Sequence, residues 1–235
     1  MSQIPLNLSR LKGMIIAIDG PAGSGKSTTA RMLAERLGYR YLDTGAMYRA
    51  ITYFALENDI APSDGPRLAA VAAGLPIEFE MRDGVNRVFL NGVDITEQIR
   101  MPDVNSHVSE VSAHKEVRKA MVSKQRAMGN KGSIVAEGRD TTTVVFPQAD
   151  IKVYLEASVR LRAERRLLDL ARIGVSTTVE EQEAEIIRRD KHDSGRKHSP
   201  LKRAPDAVVV DTSHVTIEEQ IDRIVKLIRS LSSRV

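Results

Sequence analysis

The chain of 235 residues contains neither cysteine nor tryptophan. Without cysteine there is no disulfide framework and no thiolate metal centre, and a reducing compartment, the cytoplasm, is the expected setting. Five tyrosines and four phenylalanines make up the aromatic complement, too few to furnish a base-stacking platform for single-stranded nucleic acid. No apolar run approaches the roughly 20 residues of a bilayer span, and the opening MSQIPLNLSRLKG has no apolar core of signal-peptide kind. A membrane partner is not expected. Charge of one sign is scarce as well: 35 Lys and Arg against 31 Asp and Glu leave +4. The two signs are mixed along the chain, whereas a nucleic-acid stripe would be concentrated. Nucleic acid is therefore not the expected partner, and the basic groups are expected to meet small phosphates. The length suits one α/β domain of generous size with a small insertion, and a monomer is expected.

What is present alternates. MIIAID (Met14 to Asp19) reads as a strand buried on both faces of a parallel sheet. KSTTARMLAERLG follows, with Ala30, Leu33, Ala34 and Leu37 at helical spacing and Gly38 as the stop. YRYLD, SIVAEG, ADIKVYL and DAVVVD read as further strands. Helices are expected from about Ala46 to Asn58, around Lys115 to Met128, over Val159 to Ile173 and Val179 to Asp190, and, amphipathic, over Ile217 to Leu231. Strands alternating with helices predict a doubly wound α/β fold, a parallel sheet of the P-loop NTPase type flanked by helices. One segment breaks the alternation. LPIEFEMRDGVNRVFLNGVDI has period-two apolar spacing on both sides of Asp83-Gly84 and a second turn at Asn91-Gly92, the pattern of a β-hairpin or meander. Residues Pro62 to Arg100 are accordingly read as a small β-rich insertion standing off the main sheet.

Between the first strand and the first helix lies GPAGSGKST: Gly20, Pro21, Ala22, Gly23, Ser24, Gly25, Lys26, Ser27 and Thr28. Gly20 to Ser27 fits G-x-x-x-x-G-K-[ST] in the strand-to-helix context that gives the pattern its meaning. Glycines let the loop wrap so that backbone N–H groups converge on phosphate oxygens, and the helix adds the positive end of its dipole. Lys26 is expected to reach the β- and γ-phosphates of the donor, and Ser27 to ligate Mg²⁺. The dinucleotide pattern G-x-G-x-x-G is not met, and NKGS at Asn130 lacks the aspartate of the guanine-reading N-K-x-D. ATP is the expected donor.

LDTGAMYRA, EGRDTTTVVFP and RDKHDSGRKHSPL follow IDGPAGSGKST in this order and spacing, and over nearly its whole length the chain resembles the bacterial cytidylate kinases. The resemblance implies transfer of the ATP γ-phosphate to CMP or dCMP, a step of pyrimidine nucleotide metabolism. It implies that Ser109, Arg118 and Asp140 meet the base, that Arg49, Arg139 and Arg196 turn toward the acceptor phosphate, and that Arg189 and Asp193 face the sugar. Thr44 lines the acceptor site, and Arg162 and Arg166 touch the donor nucleotide. Lys26, Arg139 and Arg196 are the expected catalytic groups. His192 stands where other members carry a lid arginine, and Ser27 where some carry glycine. Asp43 either holds a Mg²⁺-bound water or caps the helix after it. The expected organisation is a core of about 12–45, 132–158 and 205–235, an acceptor-binding region of about 46–130 that includes the insertion, and a lid of about 175–203. A kinase of UMP, AMP or a non-nucleotide such as shikimate is the alternative. A nucleic-acid-associated ATP-binding protein, favoured by the basic balance, is the reading from another class.

Overall fold

Ile16, Ala17 and Ile18 are fully buried, as an apolar run with no polar alternation requires of a strand covered on both faces. The computed structural model describes residues 13–232; the expectations for MSQIPLNLSRLKG before Gly13 and for the last residues of the core lie outside them. The first strand, β1 (Ile15–Asp19), passes through the glycine loop into α1 (Lys26–Leu37), which ends at Gly38 with φ 66°, a conformation a Cβ would resist. Then come β2 (Arg40–Asp43), α2 (Thr44–Glu57), α3 (Gly65–Gly74), β3 (Ile77–Arg82), β4 (Val85–Leu90) and β5 (Val93–Asp94). A single 3₁₀ turn, Gln98–Arg100, leads to α4 (Pro102–Val111), α5 (Lys115–Gly129), β6 (Ile134–Gly138), a π turn over Thr141–Val145, and β7 (Ile151–Glu156). The chain closes with α6 (Val159–Arg172), α7 (Val179–Gly195), β8 (Val208–Asp211) and α8 (Ile217–Ser232). No helix of the described residues is long and apolar enough to cross a membrane.

The strands form a parallel sheet in the order β2-β6-β1-β7-β8 and a separate antiparallel sheet β3-β4-β5. Because the chain leaves β1 toward β2 on one side and later reaches β7 on the other, the order reverses at β1. The crevice at the carboxyl ends of its strands is where open α/β sheets bind ligands. One apolar cluster packs Ile16, Ile18 and Val153 of the sheet against Leu33 of α1 and Ile224 and Ile228 of α8. A second cluster joins Met47 and Ile51 of α2 to Leu68, Val88, Leu90 and Ile99 of the insertion and Met121 of α5.

The insertion carries its meander, with Asp83 and Asn91 at φ 51° and 50° ahead of the turn glycines. Its first part is the helix α3, capped by Asp64, whose side chain accepts from the Arg67 N–H, with a proline in the first turn. The insertion forms a sheet apart from the main one and shares a core with α2, and Arg31 of α1 donates to the Gly84 carbonyl at its tip (3.0 Å). Two further differences concern helix extent: α4 had not been expected, and α7 runs on to Gly195.

Asp19, fully buried at the end of β1, fixes the segment after β6. Its carboxylate accepts from the Thr141 and Thr142 N–H groups (2.9 and 2.7 Å) and from the Thr142 hydroxyl (2.6 Å). Those bonds hold the π turn that begins after Asp140. Asp19→Ala leaves these donors unsatisfied, and is expected to lower unfolding free energy in urea by roughly 2 to 4 kcal/mol; an unchanged midpoint would mean that the turn is held otherwise.

Candidate active site

The glycine loop is shaped by what surrounds it. A Cβ on Gly20 would run into the Leu155 carbonyl, and one on Gly23 would lie 2.9 Å from the Arg162 carbonyl. Gly23 and Gly25 take φ 75° and 88°, open to glycine and strained for other residues. Lys26 folds back to donate to the Pro21 carbonyl (2.7 Å) and Ser24 hydroxyl (3.4 Å). Burial, aided by Arg139, pushes its ammonium down to about 7 against the opposing pull of Glu137 and Asp19. Ser27 and Thr28 are exposed in the first turn of α1.

The Ser27 hydroxyl donates to Glu137 Oε1 (2.7 Å), and Glu137 is the register neighbour of Asp43 across β6 and β2. Burial and the adjacent Asp43 raise the Glu137 carboxyl above its ordinary range. A hydroxyl and two carboxylates at the mouth of a phosphate loop are the hard oxygen donors that Mg²⁺ takes, with phosphates and water completing its shell. Among the described residues there is no group of three or more His, Cys, Asp or Glu side chains that could hold a metal ion. Asp43 does cap α2, accepting from the Ala46 N–H (2.8 Å), and it also pairs with Arg49 (2.8 Å). The Thr44 hydroxyl is engaged by the Glu137 carbonyl (2.7 Å).

Arg118 and Asp140 meet in a buried pair at 2.5 Å, 3% and 4% exposed. Arg118 also donates to the Ser112 carbonyl (3.1 Å) and stacks over the Tyr48 ring at 5.1 Å. Ser109 lies one turn before Ser112 on α4, its carbonyl taking the Ser112 hydroxyl (3.1 Å). Tyr48 and Gln125 complete this corner, with the phenol oxygen and both amide atoms buried and unpartnered. Burial pushes the Tyr48 phenol up to about 12, so it remains a neutral hydroxyl at any working pH.

From the other side α7 brings Asp193, 1% exposed, between Arg139 (2.9 Å) and Arg196. Arg189 is one turn earlier; burial and Arg139 push it down to about 10, and its buried Nε has no hydrogen bond. Asp190 reaches the glycine loop, accepting from the Ala22 N–H (3.3 Å) and from Arg162 (2.6 Å). Arg162 also donates to the carbonyls of Ala22 (3.0 Å) and Ala157 (3.1 Å), so it braces the loop. Arg166, lowered by burial, makes no ion pair or hydrogen bond among the described residues. His192 lies toward solvent, 3.9 Å from Asp193.

Every residue assigned in advance thus stands at the carboxyl end of the sheet or on a helix over it. Sequence reasoning missed Asp19, Tyr48, Gln125, Glu137 and Asp190. Tyr48, Glu137 and Asp190 stand inside motifs already singled out, in LDTGAMYRA, EGRD and RDKHDSGR; Gln125 had no local signal.

The cytidylate kinase family model matches residues 16–230. A cytidylate kinase of Geobacter sulfurreducens is 46% identical over 218 residues, 93% of this chain and 94% of that protein. One of Enterococcus faecalis is 49% identical over 214 residues, 91% and 95%. Among solved structures, an uncharacterized protein from Eubacterium ventriosum shares the fold at TM-score 0.54 and 16% identity, over 93% of this chain and 99% of that one.

Asp193 yields a pH prediction. Burial alone would raise its carboxyl, but Arg139, Arg196 and Arg189 hold it below the ordinary value of 3.8. A depressed carboxyl contributes stability that is fully present above 3.8 and is lost as pH falls through its lower folded value. Asp193→Asn leaves buried cations unbalanced and is expected to cost roughly 3 kcal/mol. The deficit should be equal at pH 7 and pH 5 and narrow only below 3.8. Urea titrations of both proteins across that range check this; a deficit that already fades at pH 5 contradicts it.

Proposed function

The chain belongs to the cytidylate kinase family, and from that premise we propose that the cleft transfers the γ-phosphate of ATP to CMP and dCMP. The observation that carries this reading is a phosphate loop in one cleft with two buried guanidinium groups that make no ion pair among the described residues, Arg166 and Arg189, beside the buried Arg118–Asp140 pair.

The acceptor's phosphate has its second pKa near 6, so at neutral pH the attacking oxygen is already an anion and no general base is required. What the protein supplies is position and counter-charge. Lys26 swings from Pro21 to the donor phosphates; Arg49, Arg139 and Arg196 orient the acceptor phosphate; Arg189 and Asp193 hold the sugar. Ser27, with Glu137 and Asp43 behind it, would hold a Mg²⁺ ion, which when bound would supply counter-charge to the donor phosphates. Residues 46–130 form the acceptor-binding region and 175–203 a lid. The donor takes the Ala22 N–H from Asp190 and shares Arg162 and Arg166, and the lid shields the reacting phosphates from water. A cysteine-free chain suits the cytoplasm.

Base choice falls to Asp140. Its carboxylate accepts from the cytosine amino group, with Arg118 and Ser109 completing the edge, whereas uracil presents a carbonyl at that place and two acceptors oppose. Sites that hydrogen-bond a substrate group can reject the wrong analogue by about 10⁴-fold. In a coupled ADP-release assay CMP should therefore far exceed UMP and AMP in kcat/KM. Asp140→Ala should lose activity toward CMP far more than toward UMP. A wild-type enzyme that prefers UMP or AMP would overturn the acceptor assignment; a variant that keeps its preference for CMP would remove Asp140 from base selection.

A further inference from the structure

Ala22, the third residue of the glycine loop, is gripped by two side chains from the helices over the sheet. Asp190 of α7 accepts from its N–H through Oδ1 (3.3 Å), and Arg162 of α6 donates to its carbonyl through Nη1 (3.0 Å). The same Nη1 donates to Asp190 Oδ2 at 2.6 Å, so an ion pair closes across a single residue of the loop. Lys26 meanwhile donates to the Pro21 carbonyl and the Ser24 hydroxyl. A phosphate loop offers its ligand backbone amides and an ammonium. Here one amide and the ammonium are both taken by the protein, and the amide is taken by a carboxylate, which like a phosphate presents two anionic oxygens to an arginine.

Asp190 is no sequence neighbour of the loop; 168 residues separate it from Ala22. It is brought there by α7, which carries Arg189 immediately before it and Asp193 one turn after it. Asp193 accepts from Arg139 at the end of β6 (2.9 Å). Within one turn, therefore, the helix is fastened once to the donor loop and once to an arginine expected at the acceptor phosphate. Arg189 and Asp193 are themselves the groups expected at the acceptor's sugar. A helical turn moves as a unit, and an N–H···O distance of 3.3 Å is already at the long end of a hydrogen bond. A shift of α7 by about an ångström toward the acceptor breaks that contact.

We propose that Asp190 is a stand-in for the donor phosphate, a carboxylate that occupies the glycine loop until the acceptor draws α7 away from it. This deepens the kinase reading and rests on it. Donor binding alone must displace Asp190, whereas donor binding after CMP meets a loop already released. CMP therefore raises the affinity for ATP, and by linkage ATP raises the affinity for CMP in the same ratio. The enzyme without acceptor holds ATP weakly, which limits its loss to water.

The test is calorimetric titration of wild type, Asp190→Ala and Asp190→Asn with β,γ-imido-ATP, with and without saturating CMP, beside the release of inorganic phosphate from ATP in the absence of CMP. In wild type CMP should tighten the analogue by about tenfold. Asp190→Ala should bind the analogue alone about tenfold more tightly than wild type, with the CMP-saturated affinity within about threefold, so that most of the CMP effect disappears. Its acceptor-free phosphate release should rise by about threefold or more. Asp190→Asn, which keeps the shape and loses the charge, should fall between the two; if Asp190→Ala does not fold, the same comparison on Asp190→Asn decides. Weaker or unchanged binding of the analogue alone overturns the proposal, since it makes Asp190 a brace for Arg162. A gain equal with and without CMP overturns it as well, because lost negative charge acting only through its field would help in both states. So does a wild-type protein whose affinity for the analogue ignores CMP. A wild-type protein that fails to phosphorylate CMP removes the kinase reading beneath it, whereas an active wild type with any of these binding results removes the role of Asp190 alone.

Discussion

Asp193 takes hydrogen bonds from Arg139 and Arg196 and lies within the field of Arg189, so one buried carboxylate faces three guanidinium groups. Three other aspartates of the cleft each pair with one arginine: Asp43 with Arg49, Asp140 with Arg118, Asp190 with Arg162. Lys26, Arg166 and Arg189 are left over, and burial depresses all three. Charges withdrawn from water are costly when their partners are incomplete. The cleft therefore holds positive charge that only a ligand rich in anionic oxygen relieves, and two nucleotides bring such oxygen in the number and spacing that phosphoryl transfer uses.

The fold divides this task between the sheet and the helices over it. Strand ends deliver the fixed groups: the glycine loop after β1, Asp43 and Thr44 after β2, Arg139 and Asp140 after β6, the last held by the Asp19 bonds. Helix α7 delivers Arg189, Asp190 and Asp193 at spacings of one turn or less, and Arg196 follows as the residue that ends it. Asp190 rests on a loop amide that a donor phosphate is suited to take, so phosphate arrival and movement of α7 are one event in this account. Asp193 bridges Arg139 on the sheet side and Arg196 on α7, and so ties the two halves together.

Legibility followed the range of the forces involved. The glycine loop depends on neighbouring residues alone, and its spacing in Gly20 to Ser27 declared it. The meander was legible because Asp83-Gly84 and Asn91-Gly92 are turn chemistry within two residues. Helix α3 carried local signals too, Asp64 as cap and Pro66 in the first turn, but they sat inside a segment read as strand-rich. Helix α4 carried a local signal as well, Val104, Val108 and Val111 buried at helical spacing behind Pro102, and was passed over. The site residues named in advance came from family resemblance, which carries tertiary information that one sequence does not. Tyr48 beneath Arg118, Gln125 beside it, and Asp190 on the glycine loop arise from side chains distant in sequence meeting in space.

The claim that the cleft is a cation cluster short of anions is tested most directly by thermal melting of the wild-type protein with inorganic tripolyphosphate, against sodium chloride at equal ionic strength. Tripolyphosphate has neither base nor sugar and can act only through its charge and oxygens. The account predicts a rise of roughly 5 °C or more at about 100 times the dissociation constant, with a clearly smaller rise in Arg189→Met. A melting temperature that moves no further with tripolyphosphate than with chloride would contradict it.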